Sequence, residues 1–193
     1  MAHQLFNQMW SLNIVCMMTL FHATNGVTVQ DLENFLNTHE KIWTRIRSID
    51  IGPKGRRLRC IYAEVRRKDN HRYVYAQHYE VQEQWISQMF NAEVLLSPTK
   101  QPVLRIKRRD DRKYYDYTLL YWSRTEQCAI FTVPLSGKPM CEMQTWDDHV
   151  WRHVPSCQMA YKKYCPGKQF PIYTRQCSPP RHHKLESQVI FTR

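Results

Sequence analysis

Cys128-Ala129-Ile130-Phe131-Thr132-Val133, Cys141-Glu142-Met143-Gln144-Thr145-Trp146 and Pro155-Ser156-Cys157-Gln158-Met159-Ala160-Tyr161-Lys162-Lys163-Tyr164-Cys165, followed by Cys177, hold five of the chain's seven cysteines. The first two pieces are short β-branched and aromatic runs. Pro134, Ser136, Gly137 and Pro139 separate them, which predicts a β-hairpin. The third places its apolar residues at 157, 160, 161, 164 and 165, the i, i+3, i+4, i+7, i+8 stripe of a helix that lays one face on something apolar. Pro155 and Ser156 suit its start, and Pro166 with Gly167 its end. Both helix cysteines fall on the stripe, so each is expected to bond a strand cysteine beneath. That leaves Cys60 and Cys177 for each other.

The pairing presumes an oxidising compartment, and the N-terminus argues for one. From Trp10 to Phe21 runs an apolar segment without Lys, Arg, Asp or Glu, followed by Ala23, Thr24 and Gly26. It is too short to cross a bilayer as a helix and suits a secretory signal over residues 1–26. Removing it takes Cys16 from the seven cysteines and leaves an even six, the count of a secreted disulfide framework. The formal charge of +11 then belongs wholly to residues 27–193. Such a surplus attracts anions: sulfated sugars, lipid carboxylates or acidic proteins.

Outward from the hairpin the chain reads as strands. Thr28 and Asp31 form a capping-box pattern before Val29, Leu32, Phe35, Leu36 and His39, which predicts a helix ending near Glu40. From Lys41 to Ile49 the period becomes two. Further runs at 58–66, 73–81, 85–96, 103–107 and 114–122, with the hairpin, make eight short strands at even spacing, the pattern of an antiparallel sandwich or closed barrel. One domain over 27–177 and a basic tail over 178–193 complete the chain.

Together, the helix, eight strands, stapled helix and export signal resemble the tick salivary lipocalins of the histamine-binding family. The likeness covers about 29–177. It is carried by Leu36-Asn37-Thr38-His39-Glu40-Lys41-Ile42-Trp43 and by Cys60, Cys128, Cys157 and Cys177. It implies an all-β fold: an eight-stranded antiparallel lipocalin (calycin) barrel with a short N-terminal helix and a disulfide-stapled C-terminal helix. It also implies the pairs Cys60–Cys177 and Cys128–Cys157, with Cys141–Cys165 as an additional bridge. The family's amine signature has Cys-Asp-aliphatic, then Glu-Leu-aromatic, then Cys. This chain has Cys128-Ala129-Ile130, Glu142-Met143-Gln144 and Cys157. Ala129 and Gln144 depart from the pattern, and the departures fall on amine specificity.

Strand parity locates a site without the family. If Cys141 points out to a helix, alternation turns Glu142, Gln144 and Trp146 into the barrel, and the same logic on Cys128 turns Ala129, Phe131 and Val133 inward. A buried carboxylate requires a cation, either a ligand ammonium or an internal Lys or Arg. Tyr117, Trp122 and Trp43 are candidate aromatic contacts, with Trp85, Tyr115 and Tyr121 also available. Arg105 and Lys107, sharing a face with Val103, are candidates to grip an anionic ligand. The clusters Arg56/Arg57/Arg59, Arg66/Arg67/Lys68 and Lys107/Arg108/Arg109/Arg112/Lys113 are candidates for a sulfated glycan or protein surface.

Catalysis is not expected. His149 and His153 lack the Glu and third ligand of a catalytic zinc site, and His182-His183 lies in the tail. Five glycines form no phosphate loop, and paired cysteines leave no thiol nucleophile. No cofactor, metal, membrane or nucleic-acid partner is implied, and no Asn-x-Ser/Thr sequon occurs. The expectation is a secreted monomer that sequesters a biogenic amine such as histamine or serotonin. The alternatives are an anionic lipid scavenger (leukotriene or fatty acid) and a basic-surfaced inhibitor of host complement or clotting.

Overall fold

A computed structural model describes residues 26–50, 55, 57–108, 113–135 and 137–179. The expected signal peptide, the tail beyond 179 and Arg56, Arg109 and Arg112 lie outside these residues.

The first element, α1 (Val29–Leu36), begins with the expected capping box. The Asp31 amide donates to the Thr28 hydroxyl at 3.1 Å, and the Thr28 amide donates to the Asp31 carboxylate at 2.8 Å. The helix stops at Leu36 rather than near Glu40, because Asn37 leaves helical geometry while its amide still reaches the Glu33 carbonyl. Leu32, Phe35 and Leu36 are buried. They share one apolar cluster with side chains from all eight strands' inner faces except the polar stretch described below, so α1 plugs one end of the barrel.

Eight antiparallel strands follow: β1 (Ile42–Arg47), β2 (Arg59–Asp69), β3 (Arg72–Val81), β4 (Gln84–Leu96), β5 (Pro102–Arg108), β6 (Tyr114–Ser123), β7 (Cys128–Leu135) and β8 (Lys138–Trp146). Neighbours pair in sequence order, and β1 pairs with both β8 and β2, which closes the barrel. The β7–β8 hairpin keeps register from Cys128↔Thr145 to Leu135↔Lys138, and Gly137 (φ +77) supplies the positive φ of its tight turn.

Helix α2 (Pro155–Tyr164) lies outside the wall. Its Cys157, Ala160 and Tyr161, with Cys165, pack on Cys128, Ile130, Cys141 and Met143. Val154 at its N-cap offers no side-chain acceptor. Glu126 from the β6–β7 turn supplies one instead, accepting from the Ser156 amide (3.0 Å), the Ser156 hydroxyl (2.7 Å) and the Cys157 amide (3.1 Å). Burial pushes the Glu126 carboxyl up, but these hydrogen bonds outweigh it and hold the group below its ordinary range.

The disulfides are Cys60–Cys177, Cys128–Cys157 and Cys141–Cys165, as the sequence implied. Two staple α2 to β7 and β8. The third ties the C-terminal segment to β2. Within that segment the short strand β9 (Phe170–Pro171) pairs with β1, an addition the sequence reading did not anticipate.

Candidate ligand site in the barrel interior

The site is built by alternation on three adjacent strands. On β8, Cys141 and Met143 face α2, while Glu142 and Gln144 are buried on the opposite face and Trp146 packs into the interior cluster. On β7, Ala129, Phe131 and Val133 face in, with Ala129 opposite Gln144 and Phe131 opposite Glu142. The inward set read from strand parity is the observed one.

Strand β1 breaks its own alternation. Thr44 pairs with Gln144, Ile46 with Met143 and Arg47 with Glu142, so Arg45 is an extra residue on this strand. Such a bulge inverts facing beyond it. Ile46 therefore joins the layer under α2, and Arg47, which simple alternation groups with outward Trp43, turns into the barrel. Its Nε and Nη2 donate to Glu142 Oε1 at 2.8 and 2.6 Å. Gln144 Nε2 donates to Glu142 Oε2 at 2.8 Å, so both carboxylate oxygens are engaged. The Glu142 side chain is 2% exposed and that of Arg47 10%.

Rings surround this polar unit. Tyr117 meets Phe131 edge-on at 6.4 Å, and Tyr75 meets Phe90 at 6.5 Å. Burial, reinforced by the Glu142 charge, lifts the Tyr75 and Tyr117 phenols far above their ordinary range, so both stay neutral. For Arg47, burial alone lowers the pKa. Glu142's charge and hydrogen bond, with Tyr117 and Tyr75, outweigh it, and the net shift is upward. Toward α1, Trp122 packs on Phe35 at 5.2 Å and on Trp146 at 5.8 Å, and the Trp146 indole donates to the Phe35 carbonyl at 3.1 Å. At the opposite end Ile49, Tyr115 and Leu135 are only partly buried against the same cluster.

Three expected contacts lie elsewhere. Trp43 faces outward because Ile42 takes the inward position. It packs on Tyr62 (4.8 Å) and Tyr173 (4.6 Å), and its indole donates to Asp147. Arg105 and Lys107 also face out, because the inward residues of β5 are Leu104 and Ile106 rather than Val103. Arg105 clamps Asp116 through two bonds of 2.8 and 2.7 Å, and Lys107 lies over Tyr114 at 5.3 Å. The β5 cation on the inner side is Arg108. It pairs with Phe90 as Ile106 pairs with Ala92, and its charge draws the Tyr79 phenol down against a larger upward push from burial. Among the other aromatics, Tyr115 packs inward, while Trp85 and Tyr121 join outer clusters.

The tick histamine binding protein family matches residues 21–179. The chain belongs to this family. Among solved structures, Japanin from Rhipicephalus appendiculatus bound to cholesterol is similar, with a TM-score of 0.51 at 14% identity over 70% of this chain and 92% of that one. That likeness supports the lipocalin barrel. No curated protein matches the sequence.

Against the family's amine signature, Glu142 of this histamine-binding family member is present, buried and already paired. Ala129 and Gln144 stand across from each other beside it. Among the described residues one group of metal-type ligands appears, Glu126, Cys128 and Cys157. Its cysteines are joined in a disulfide and its carboxylate caps α2.

Part of the basic clusters is paired with acidic residues. Arg57 and Arg59 meet Asp50, Arg67 lies 4.0 Å from Glu33, and Arg72 meets Asp69. Of the formal +11, five charges fall in residues 150–179, which hold Arg152, Lys162, Lys163, Lys168 and Arg175, all exposed, and no Asp or Glu.

Proposed function

We propose that this protein is a secreted lipocalin that sequesters a small, mainly apolar host mediator bearing an anionic or hydrogen-bond-accepting group, of the fatty acid or leukotriene class. One observation carries the reading. Inside the barrel, Glu142 has both oxygens occupied by Arg47 and Gln144, and the Arg47 side chain is the more exposed member of the pair. A ligand reaching this unit meets a donor before it meets the carboxylate. The surrounding lining is aromatic and aliphatic, which favours a largely apolar body.

The family name points instead to an amine. An ammonium would have to compete with a tethered guanidinium for the same oxygen, and local concentration favours the tether. The protein's +11 charge also repels cations at long range. Titration calorimetry decides between the two. Arachidonic acid or a leukotriene is expected to give heat, with cholesterol as the neutral comparison, and histamine and serotonin little or none. Amine heat with no lipid heat would sink the proposal.

A second reading rests on a different observation. Residues 150–179 combine five exposed cations with exposed Trp151 (54%), Met159 (67%) and Tyr164 (42%), the residue mix of a protein interface. Silence with every small molecule would favour an acidic host protein docked there.

A further inference from the structure

We infer that Arg47 is a built-in occupant of a cation site, and that this one side chain sets the charge class the barrel accepts. The inference rests on the reading of the barrel interior as the ligand site. It deepens that reading by naming the side chain that decides between cationic and anionic ligands.

A carboxylate that is 2% exposed among Phe131, Tyr117 and Tyr75 must be compensated by a cation. Gln144 contributes a neutral amide to Oε2, and the charge is met entirely at Oε1, by Arg47 Nε and Nη2. Arg47 reaches the interior only because the bulge at Arg45 inverts the facing of β1.

Removing the guanidinium while keeping the carboxylate therefore leaves a space with a rim of aromatic rings and one unmet negative charge at its floor. That is the chemistry of a site for a small organic cation: an ammonium or guanidinium at Oε1, with its apolar part against the rings. In this barrel the cation opposite Glu142 is carried by the chain rather than by a ligand.

The test uses the full chain with its disulfides and the variant R47A. Ethylguanidine carries the atoms that the truncation removes, and histamine is the amine probe. For R47A, calorimetry is expected to show both cations binding more tightly than to the wild type by roughly tenfold or more, the low end of what a desolvated charge pair returns. Ethylguanidine should also raise the melting temperature of R47A and leave the wild type unmoved. The double variant R47A/E142Q should lose both effects.

A folded R47A with no gain in cation affinity would overturn the inference, as would a gain that survives E142Q. If R47A folds only with ethylguanidine present, the inference stands. If it fails to fold even then, a free cation cannot replace the tethered one and the inference falls. Wild-type lipid heat is a separate readout, so either conclusion can fail without the other.

Discussion

The two faces of β8 make opposite use of the same strand. Outward, Cys141 and Met143 enter a layer of apolar side chains under α2, where two disulfides fix the contact. Inward, Glu142 and Gln144 join Arg47 in a polar unit ringed by aromatics. The outer layer holds the wall together without electrostatics. The inner unit adds little net stability, because burying two charges costs about as much as their attraction returns. The division of labour frees the interior to carry groups chosen for what they contact.

The largest expected effect falls on the outside. Replacing Cys60 and Cys177 with Ala opens a crosslink spanning 117 residues, and the chain-entropy account gives a loss of about 5 kcal/mol at 25 °C. Denaturant unfolding would measure it. A loss no greater than that from opening Cys141–Cys165, which spans 24 residues, would break the account.

Inside, E142A strands Arg47 and should cost about 3 to 5 kcal/mol. R47M/E142L, which removes both charges, should lie within about 1 kcal/mol of the wild type. If single and double variants were equally destabilised, the pair would be a genuine source of stability and the contrast between the two faces would collapse.

A smaller effect tests how the outer layer begins. Because the Glu126 pKa is lowered in the folded state, its contribution is present above the ordinary carboxylate range and is lost as pH falls through and below it. E126Q should cost about 1 to 2 kcal/mol at pH 7, the usual worth of a helix cap. The urea midpoints of wild type and E126Q should converge as the pH falls below the ordinary carboxylate range. A constant gap across pH would mean that the carboxylate acts through shape alone.

The smallest effect has the opposite sign. The Tyr161 hydroxyl is buried under α2 and, among the described residues, has no hydrogen-bond partner. Y161F should raise stability by about 1 kcal/mol, read as a higher melting temperature.

These contrasts also show what the sequence could and could not reveal. The inward set on β7 and β8 was readable because cysteines at 128, 141, 157 and 165 announce which face meets a helix, and period two does the rest. The strands were readable from their β-branched and aromatic runs between turn residues. Arg47 was hidden because a bulge leaves no compositional mark, and one extra residue reverses every prediction beyond it. Arg105 and Lys107 were placed on the wrong side because Val103, Leu104 and Ile106 make both faces of β5 look apolar at its start. A signal did exist: Asp116 lies opposite Arg105 in a neighbouring strand, and a matched ion pair is at home on a solvated face. Trp43 was drawn inward by its size, although Ile42 beside it was the better inward candidate. Glu126 could not be found, because a cap donated by a distant turn has no local spacing.

The short strand β9 has one more consequence. Its neighbour Ile172 accepts from the Cys60 amide and donates to the Arg45 carbonyl, so the last seam of the cylinder is stitched by residues made long after both strands they join. During synthesis β1 and β2 can pair at Ile42↔Ala63 and Trp43↔Tyr62, and only when this final thread emerges is their seam extended. The disulfide at Cys177 then locks the thread onto β2, so the last crosslink of the chain also secures that seam.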